Sequence, residues 1–189
     1  RMSARFDLIP TALAGVVVVK RKPIGDARGF LERVWCADEL AGLFGERRLA
    51  QINRTRTERA GTVRGLHFQH PPHAEAKLVS CLAGEVWDVA VDLRRDSPTF
   101  LQWHAERLSA DNHTSLFIPE GCAHGFQTLV DDCELLYLHT HAHAPGAEGG
   151  VQVEEPRLGI KWPLPVAGLS PRDTAHPPLD ERFTGIPLS

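Results

Sequence analysis

Three features of the sequence predict a mainly β fold, a sandwich or barrel: short β-branched runs, turn residues spread between them, and few helical signals. Residues 15–19, Gly-Val-Val-Val-Val, read as an early strand. Residues 77–82 and 85–93 read as two strands, and the Ala83-Gly84 step between them predicts a hairpin. Within the second, Val86-Trp87-Asp88-Val89-Ala90-Val91-Asp92 alternates imperfectly between apolar and acidic residues, as on a strand with one partly polar face. Further strands are expected at 115–118 and 134–139, with a turn at 119–126 leading into another. Two short helices complete the reading. One covers 37–43, with Gly45 just past its end; the other opens at Ser170-Pro171-Arg172-Asp173, with Ser170 as N-cap and Pro171 in the first position. No repeat or low-complexity linker divides the chain, so a single domain over 1–189 is expected. The Pro- and Gly-rich segment 145–189 is expected to wrap around it.

Composition narrows the functional classes. The 189 residues are 42% hydrophobic and 24% charged, with a net charge of −3. No cationic run exceeds Lys20-Arg21-Lys22, which argues against nucleic acid as a partner, since phosphate-backbone binding needs a clustered basic face. A phosphate-bearing small molecule needs only two or three cations and stays open. Cys36, Cys81, Cys122 and Cys133 form no C-x-x-C pair, and reduced thiols in a cytoplasmic protein are expected. The apolar run 12–19 is shorter than the roughly 20 residues a bilayer requires. Pro10 precedes it and Lys20-Arg21-Lys22-Pro23 follows without a small-residue cleavage site, so it reads as a strand rather than a leader, with no membrane partner.

The chemistry-bearing residues concentrate in Arg64-Gly65-Leu66-His67-Phe68-Gln69-His70-Pro71-Pro72-His73-Ala74-Glu75-Ala76-Lys77. His67 suits proton transfer, because imidazole titrates near neutrality. Lys77 opens an apolar strand, where its ammonium can stabilise an oxyanion. The alternative is that these side chains decorate a surface loop. Tyr137 is the only tyrosine. By alternation it faces away from the leucines on either side of it, either as a proton donor toward a ligand or as a core residue. His124, in Pro119-x-Gly121-x-x-His124-x-Phe126, resembles the second motif of metal-binding cupins. A metal set of His67, His70 or His73, Glu75 and His124 is therefore an alternative, although no H-x-H is present. His139, His141 and His143 alternate and would share one strand face, as an adventitious metal site or plain surface.

A longer set of ordered motifs carries a resemblance. Asp26-x-Arg28-Gly29-Phe30, Gln51-x-Asn53, Arg64-Gly65-Leu66-His67-Phe68-Gln69, Lys77-Leu78-Val79 and Gly84-Glu85-Val86-x-Asp88-Val89-Ala90-Val91-Asp92-Leu93-Arg94 resemble the dTDP-4-dehydrorhamnose 3,5-epimerase family. So do Ser97-Pro98-Thr99-Phe100, Leu108-Ser109-Ala110-x-Asn112, Ile118-Pro119-x-Gly121-x-Ala123-His124-Gly125-Phe126, Gly159-Ile160-x-Trp162-Pro163 and Leu169-Ser170-x-Arg172-Asp173. The resemblance implies a cupin-type jelly-roll β-barrel with no metal and no cofactor. It implies a homodimer that exchanges N-terminal strands, from within about 1–50, and a dTDP-linked sugar as substrate. It implies His67 as general base oriented by Asp173, Lys77 as stabiliser of the enolate, and Tyr137 as acid on the opposite face. Substrate contacts would come from Arg28, Glu32, Gln51, Asn53, Arg64, His124, Glu148 and Arg172, with Asp88 lining the site and Arg28 and Glu32 completing the partner's site. The implied reaction is inversion at C3 and C5 beside the C4 ketone of dTDP-4-dehydro-6-deoxy-D-glucose.

The sequence also departs from the family pattern. After Tyr137 the family continues with threonines and then two tyrosines; here the run is Leu138-His139-Thr140-His141-Ala142-His143. The segment between Arg28 and Glu32 is one residue shorter, and Arg172 replaces a lysine. These changes keep a C3 or C5 mono-epimerase on another 4-keto sugar as the near alternative. A metal-dependent cupin oxygenase and a non-enzymatic sugar-nucleotide-binding cupin are the distant ones.

Overall fold

The structure, a computed structural model, describes residues 5–189. Its strands in chain order are β1 (Phe6–Pro10), β2 (Val17–Arg21), β3 (Ile24–Asp26), β4 (Gly29–Leu31), β5 (Gln51–Thr57), β6 (Val63–Gln69) and β7 (Lys77–Ala83). They continue with β8 (Glu85–Asp92), β9 (Trp103–Ser109), β10 (Thr114–Ile118), β11 (Cys122–Thr128), β12 (Cys133–His139) and β13 (Glu148–Gly150). Two short helices, α1 (Ala41–Phe44) and α2 (Pro171–Thr174), accompany them. One sheet has the order β1-β2-β10-β7-β12-β5 and the other β13-β6-β11-β8-β9; β3 and β4 form a separate small hairpin. This is the expected mainly β jelly-roll sandwich.

The alternation of side chains sorts the apolar residues into three buried groups. Between the sheets lie Val79, Val86, Ala90, Leu116, Phe126 and Leu135 with Tyr137 packed against them. Outside the six-stranded sheet, Phe6, Leu40, Phe44, Leu78, Phe117 and Leu138 form a second group. Outside the other sheet, Val89, Val91 and Leu93 are covered by Val151, Val153, Leu158 and Ile186. Residues of the C-terminal segment thus cover this face, and isolated bridges run from Ala167 to Thr62 and from Ile186 to Arg94. The double burial also explains why the pattern of β8 is imperfect: Trp87, Val89 and Val91 face the wrapping segment, and Val86 and Ala90 face the interior.

Three expectations are corrected. β7 and β8 do not form a hairpin: β7 pairs with β10 and β12, whereas β8 pairs with β11 and β9 in the facing sheet. The Ala83-Gly84 step is a corner between sheets. Gly84 sits at φ 74°, and a Cβ there would lie 2.7 Å from Cys133 Sγ. Helix α1 begins four residues later than expected, because 36–40 form turns in which Leu40 N–H donates to Cys36 O and Ala41 N–H to Asp38 O. Its end at Gly45 is as expected. Finally, β12 stops at His139, where Thr140 N–H donates to Ala76 O and Ala76 N–H donates to Thr140 Oγ1, so His141 and His143 are not on a strand.

Candidate active site

β6 and β11 run side by side with His67 opposite His124, and each imidazole is held by a carboxylate. Close approach of these strands requires Gly65, at φ 144°, where a Cβ would lie 2.6 Å from Gly125 Cα. His67 Nε2 lies 2.5 Å from Asp173 Oδ1. Asp173 comes from α2, whose N-cap Ser170 Oγ accepts from Asp173 N–H at 3.1 Å. Gly65 N–H donates to the other carboxylate oxygen at 3.1 Å. Burial pulls the Asp173 carboxyl up, but the hydrogen bond and charge of His67 outweigh it and hold it below its ordinary value. The capped helix end and the strand thus fix the carboxylate from two sides, and the carboxylate fixes the ring.

The second pair is deeper. His124 Nε2 is 2.7 Å from Asp88 Oδ1, with side chains only 4% and 0% exposed. Burial pushes the His124 pKa down against the opposing pull of Asp88, so the imidazole stays neutral at pH 7.

The facing sheet supplies the rest. Lys77, at the start of β7, is buried, with Nζ 3.3 Å from Glu75 Oε1. His139 Nδ1 donates to the other Glu75 oxygen at 3.0 Å. Burial raises the Glu75 carboxyl, yet His139 and Lys77 together leave it below its usual value. Tyr137 stacks on His139, with centroids 5.9 Å apart, and meets His124 edge-on at 5.7 Å. Burial pushes its phenol well above the ordinary tyrosine range, which keeps it protonated.

These side chains share one cavity of about 230 Å³. His67, Lys77, Tyr137, His124, Asn53, Arg64, Glu148 and Arg172 all line it. Gln51 stands at its edge, where Oε1 accepts from His143 N–H at 3.0 Å. Asp88 does not line the cavity as expected; it is fully buried beneath His124, with Oδ1 on that ring and Oδ2 left without a hydrogen-bond partner. Arg28 and Glu32 stand away from this chain's cavity. Arg28 pairs with Asp26 in the β3–β4 hairpin. Glu32 is held by Arg21 at 2.8 Å and His113 at 2.7 Å.

The metal set read from spacing does not assemble. Among the described residues, the one group of three ligand-type side chains with donor atoms within 4.8 Å of one another is His67, Asp173 and His176. His70 packs on Phe68, and His73 faces His141 with nitrogens 3.4 Å apart. The alternating histidines also separate: His139 and His143 line the cavity, and His141 does not. Sequence reasoning offered Glu75 and His139 only as metal-ligand or surface residues and did not name His176. Glu75 holds Lys77, His139 supports Tyr137, and His176 lies behind Asp173. The spacing Asp173-x-x-His176 in a capped turn was the available signal for the last.

A jelly-roll with a His–Asp pair on one sheet, and a lysine and a phenol on the facing sheet around one cavity, defines a cupin-type isomerase that moves protons on a small ligand. Residues 10–181 match the family described as dTDP-4-dehydrorhamnose 3,5-epimerase. The chain belongs to that family and is an epimerase. It is 42% identical to the dTDP-4-dehydrorhamnose 3,5-epimerase of Salmonella typhimurium, over 92% of this chain and 96% of that protein. Among solved structures it is similar to the dTDP-6-deoxy-D-glucose-3,5-epimerase of Legionella pneumophila in complex with dTDP-4-keto-L-rhamnose. The TM-score is 0.89 and the identity 36%, covering 96% and 98% of the two chains. It is also similar to a 3′-monoepimerase of Streptomyces bikiniensis in complex with dTDP-quinovose, with TM-score 0.85, 32% identity and coverage of 95% and 92%.

Proposed function

We propose that this chain inverts C3 and C5 of dTDP-4-dehydro-6-deoxy-D-glucose, giving dTDP-4-dehydro-L-rhamnose, with His67 as base and Tyr137 as acid. The placement of base and acid on facing sheets of one cavity carries this reading. With Nε2–H donated to Asp173, His67 keeps its lone pair on Nδ1, where it accepts the proton from the carbon beside the ketone. Electron density moves onto the C4 oxygen as the C–H bond breaks, and the Lys77 ammonium stabilises the enolate. Tyr137 then delivers its phenolic proton to the opposite face of the same carbon; His67 releases the proton it took to solvent and the phenolate takes one up, which resets both groups before the second carbon is inverted. Arg64, Arg172, Asn53 and Glu148 line the cavity and would hold the sugar and diphosphate; the forked donors of arginine match phosphate oxygens.

This chemistry needs neither metal nor cofactor. The metal set expected from spacing does not gather its donor atoms, and the His67–Asp173 pair matches the arrangement of a general base with its orienting carboxylate. The whole chain acts as one domain. The β3–β4 hairpin, with Ile24, Phe30 and Leu31 exposed, supports a homodimer in which exchanged N-terminal strands bring Arg28 and Glu32 to the partner's cavity. Light scattering on the purified protein tests this, and a monomer at working concentration would sink it. The free thiols, with no helix among the described residues long and apolar enough to cross a membrane, support work in the cytoplasm.

Incubation with the substrate in D₂O, followed by NMR, tests the reaction. Deuterium is expected at both C3 and C5, with exchange lost in His67→Ala and inversion lost in Tyr137→Phe. Exchange confined to C3 would favour mono-epimerisation, the reading that the replaced tyrosines near His143 and the similarity to a 3′-monoepimerase keep open.

A further inference from the structure

His176 lies just past α2, three residues beyond Asp173, and nothing in the mechanism uses it. Its side chain is 11% exposed. The ring fills the hollow over Gly150, where a Cβ would lie 2.1 Å from it, and Gly150 is the register partner of His67 on β13. Its carbonyl accepts from Gln152 Nε2 at 2.6 Å, which pins the backbone. Nε2 sits 3.4 Å from Asp173 Oδ1, the same oxygen that holds His67, and is fully buried with no aligned hydrogen-bond partner. A buried nitrogen left in that state is costly and needs an explanation; here the group it faces is the carboxylate that orients the base. The two imidazoles meet at an interplanar angle of 71°, with centroids 6.0 Å apart.

We propose that His176 is a positioning residue for the base: a neutral imidazole that seats Asp173 from behind and sets how much of its charge reaches His67. The charged and titratable groups around it are Asp173 and Arg172 of α2 and His67 of β6; on β13, Gly150 meets its ring, and Glu148 is paired with Arg172 at 3.1 Å. Burial pushes its pKa down, and His67 and Arg172 add to that against the pull of Asp173, so it stays neutral while His67 gains and loses its proton. At 3.4 Å and unaligned, an Nε2–H there is a dipole beside Oδ1 rather than a hydrogen bond, and it draws on the same charge that would otherwise stabilise the His67 imidazolium. Removing it strengthens the hold of His67 on a proton.

This rests on His67 being the base, and the test separates the two ideas. His176→Phe keeps the ring volume and removes the nitrogen. The acidic limb of its kcat/KM profile, which reports the free enzyme, is expected to move up by about half a pH unit or more. His176→Gln restores an N–H donor and should bring the limb back toward the parent. NMR titration of the His67 ring, without substrate, should show the same displacement in His176→Phe. If the phenylalanine variant does not fold, His176→Leu carries the same prediction. A limb and a ring titration both unmoved in His176→Phe, or moved equally in the glutamine variant, would overturn the proposal. A ring titration that moves while the limb stays fixed would keep the coupling and discard His67 as the base.

Discussion

Two imidazole–carboxylate pairs sit on neighbouring strands as register partners, His67–Asp173 and His124–Asp88, and they are built for different work. The His67 side chain is 35% exposed and its carboxylate is delivered by a capped turn from outside the barrel. The His124 pair is sealed between the sheets, with both members on adjacent strands of one sheet. An exposed ring with a fixed carboxylate can accept a proton and hold it as imidazolium. A sealed ring pays too much desolvation to charge and serves as a fixed neutral wall against Tyr137. On the proposed reading, identical functional groups 57 positions apart in the sequence take different roles through burial and through the element that supplies the carboxylate.

Replacing one carboxylate at a time sharpens that difference. Asp173→Asn leaves His67 near its place but unbinds the tautomer, and turnover should fall roughly 10²–10⁴-fold, as for comparable His–Asp pairs. Its unfolding free energy should stay within about 1 kcal/mol of the parent. Asp88→Ala should do the reverse: it orphans a buried imidazole and costs about 1–3 kcal/mol of stability, while the folded fraction keeps turnover within about tenfold. Urea melts alongside initial rates read both. An Asp88→Ala enzyme that is stable yet as slow as Asp173→Asn would put His124 in the chemistry and break the comparison.

How much of this was legible in the sequence depended on how local each signal was. Strand β2 and the Ser170 cap are set by adjacent residues, and they appear close to where the pattern puts them, whereas the turn after Ile118 is shorter than expected because β11 already begins at Cys122. The expected β7–β8 hairpin failed because Ala83-Gly84 describes a tight step but not which sheet the next strand joins; that is decided by pairing with β11 and β9, distant in the chain. The ordered motifs carried His67, Lys77 and Arg64, the family resemblance implied Tyr137, and all four line one cavity. What spacing could not give was depth. Asp88 and His124 lie in matching motifs with the other site residues, yet burial makes Asp88 a support rather than a wall. Glu75 and His139 act through contacts 2 to 64 positions away in the sequence, which their spacing alone read as metal ligation or surface, and only the Asp173-x-x-His176 spacing signalled His176.

The smallest expected effect tests the neutral ring itself. The folded state lowers the proton affinity of His124, whereas the unfolded chain takes up a proton near pH 6.5. Stability from this group is therefore whole above about pH 6.5 and is lost as pH falls toward the folded value, because unfolding then binds a proton that the fold refuses. His176 acts in the same direction. Asp173, whose carboxyl is held low, keeps its contribution down to about pH 3.9 and loses it only below. Between about pH 7.5 and pH 5.5 the decline should trace the histidines rather than the carboxylate, with each contributing at most about 1.4 kcal/mol per pH unit. Urea midpoints across that range should fall in the parent and fall less in His124→Gln. An equal slope in both proteins would mean that His124 already shares a proton with Asp88 in the fold, and then the two pairs would differ in exposure but not in charge.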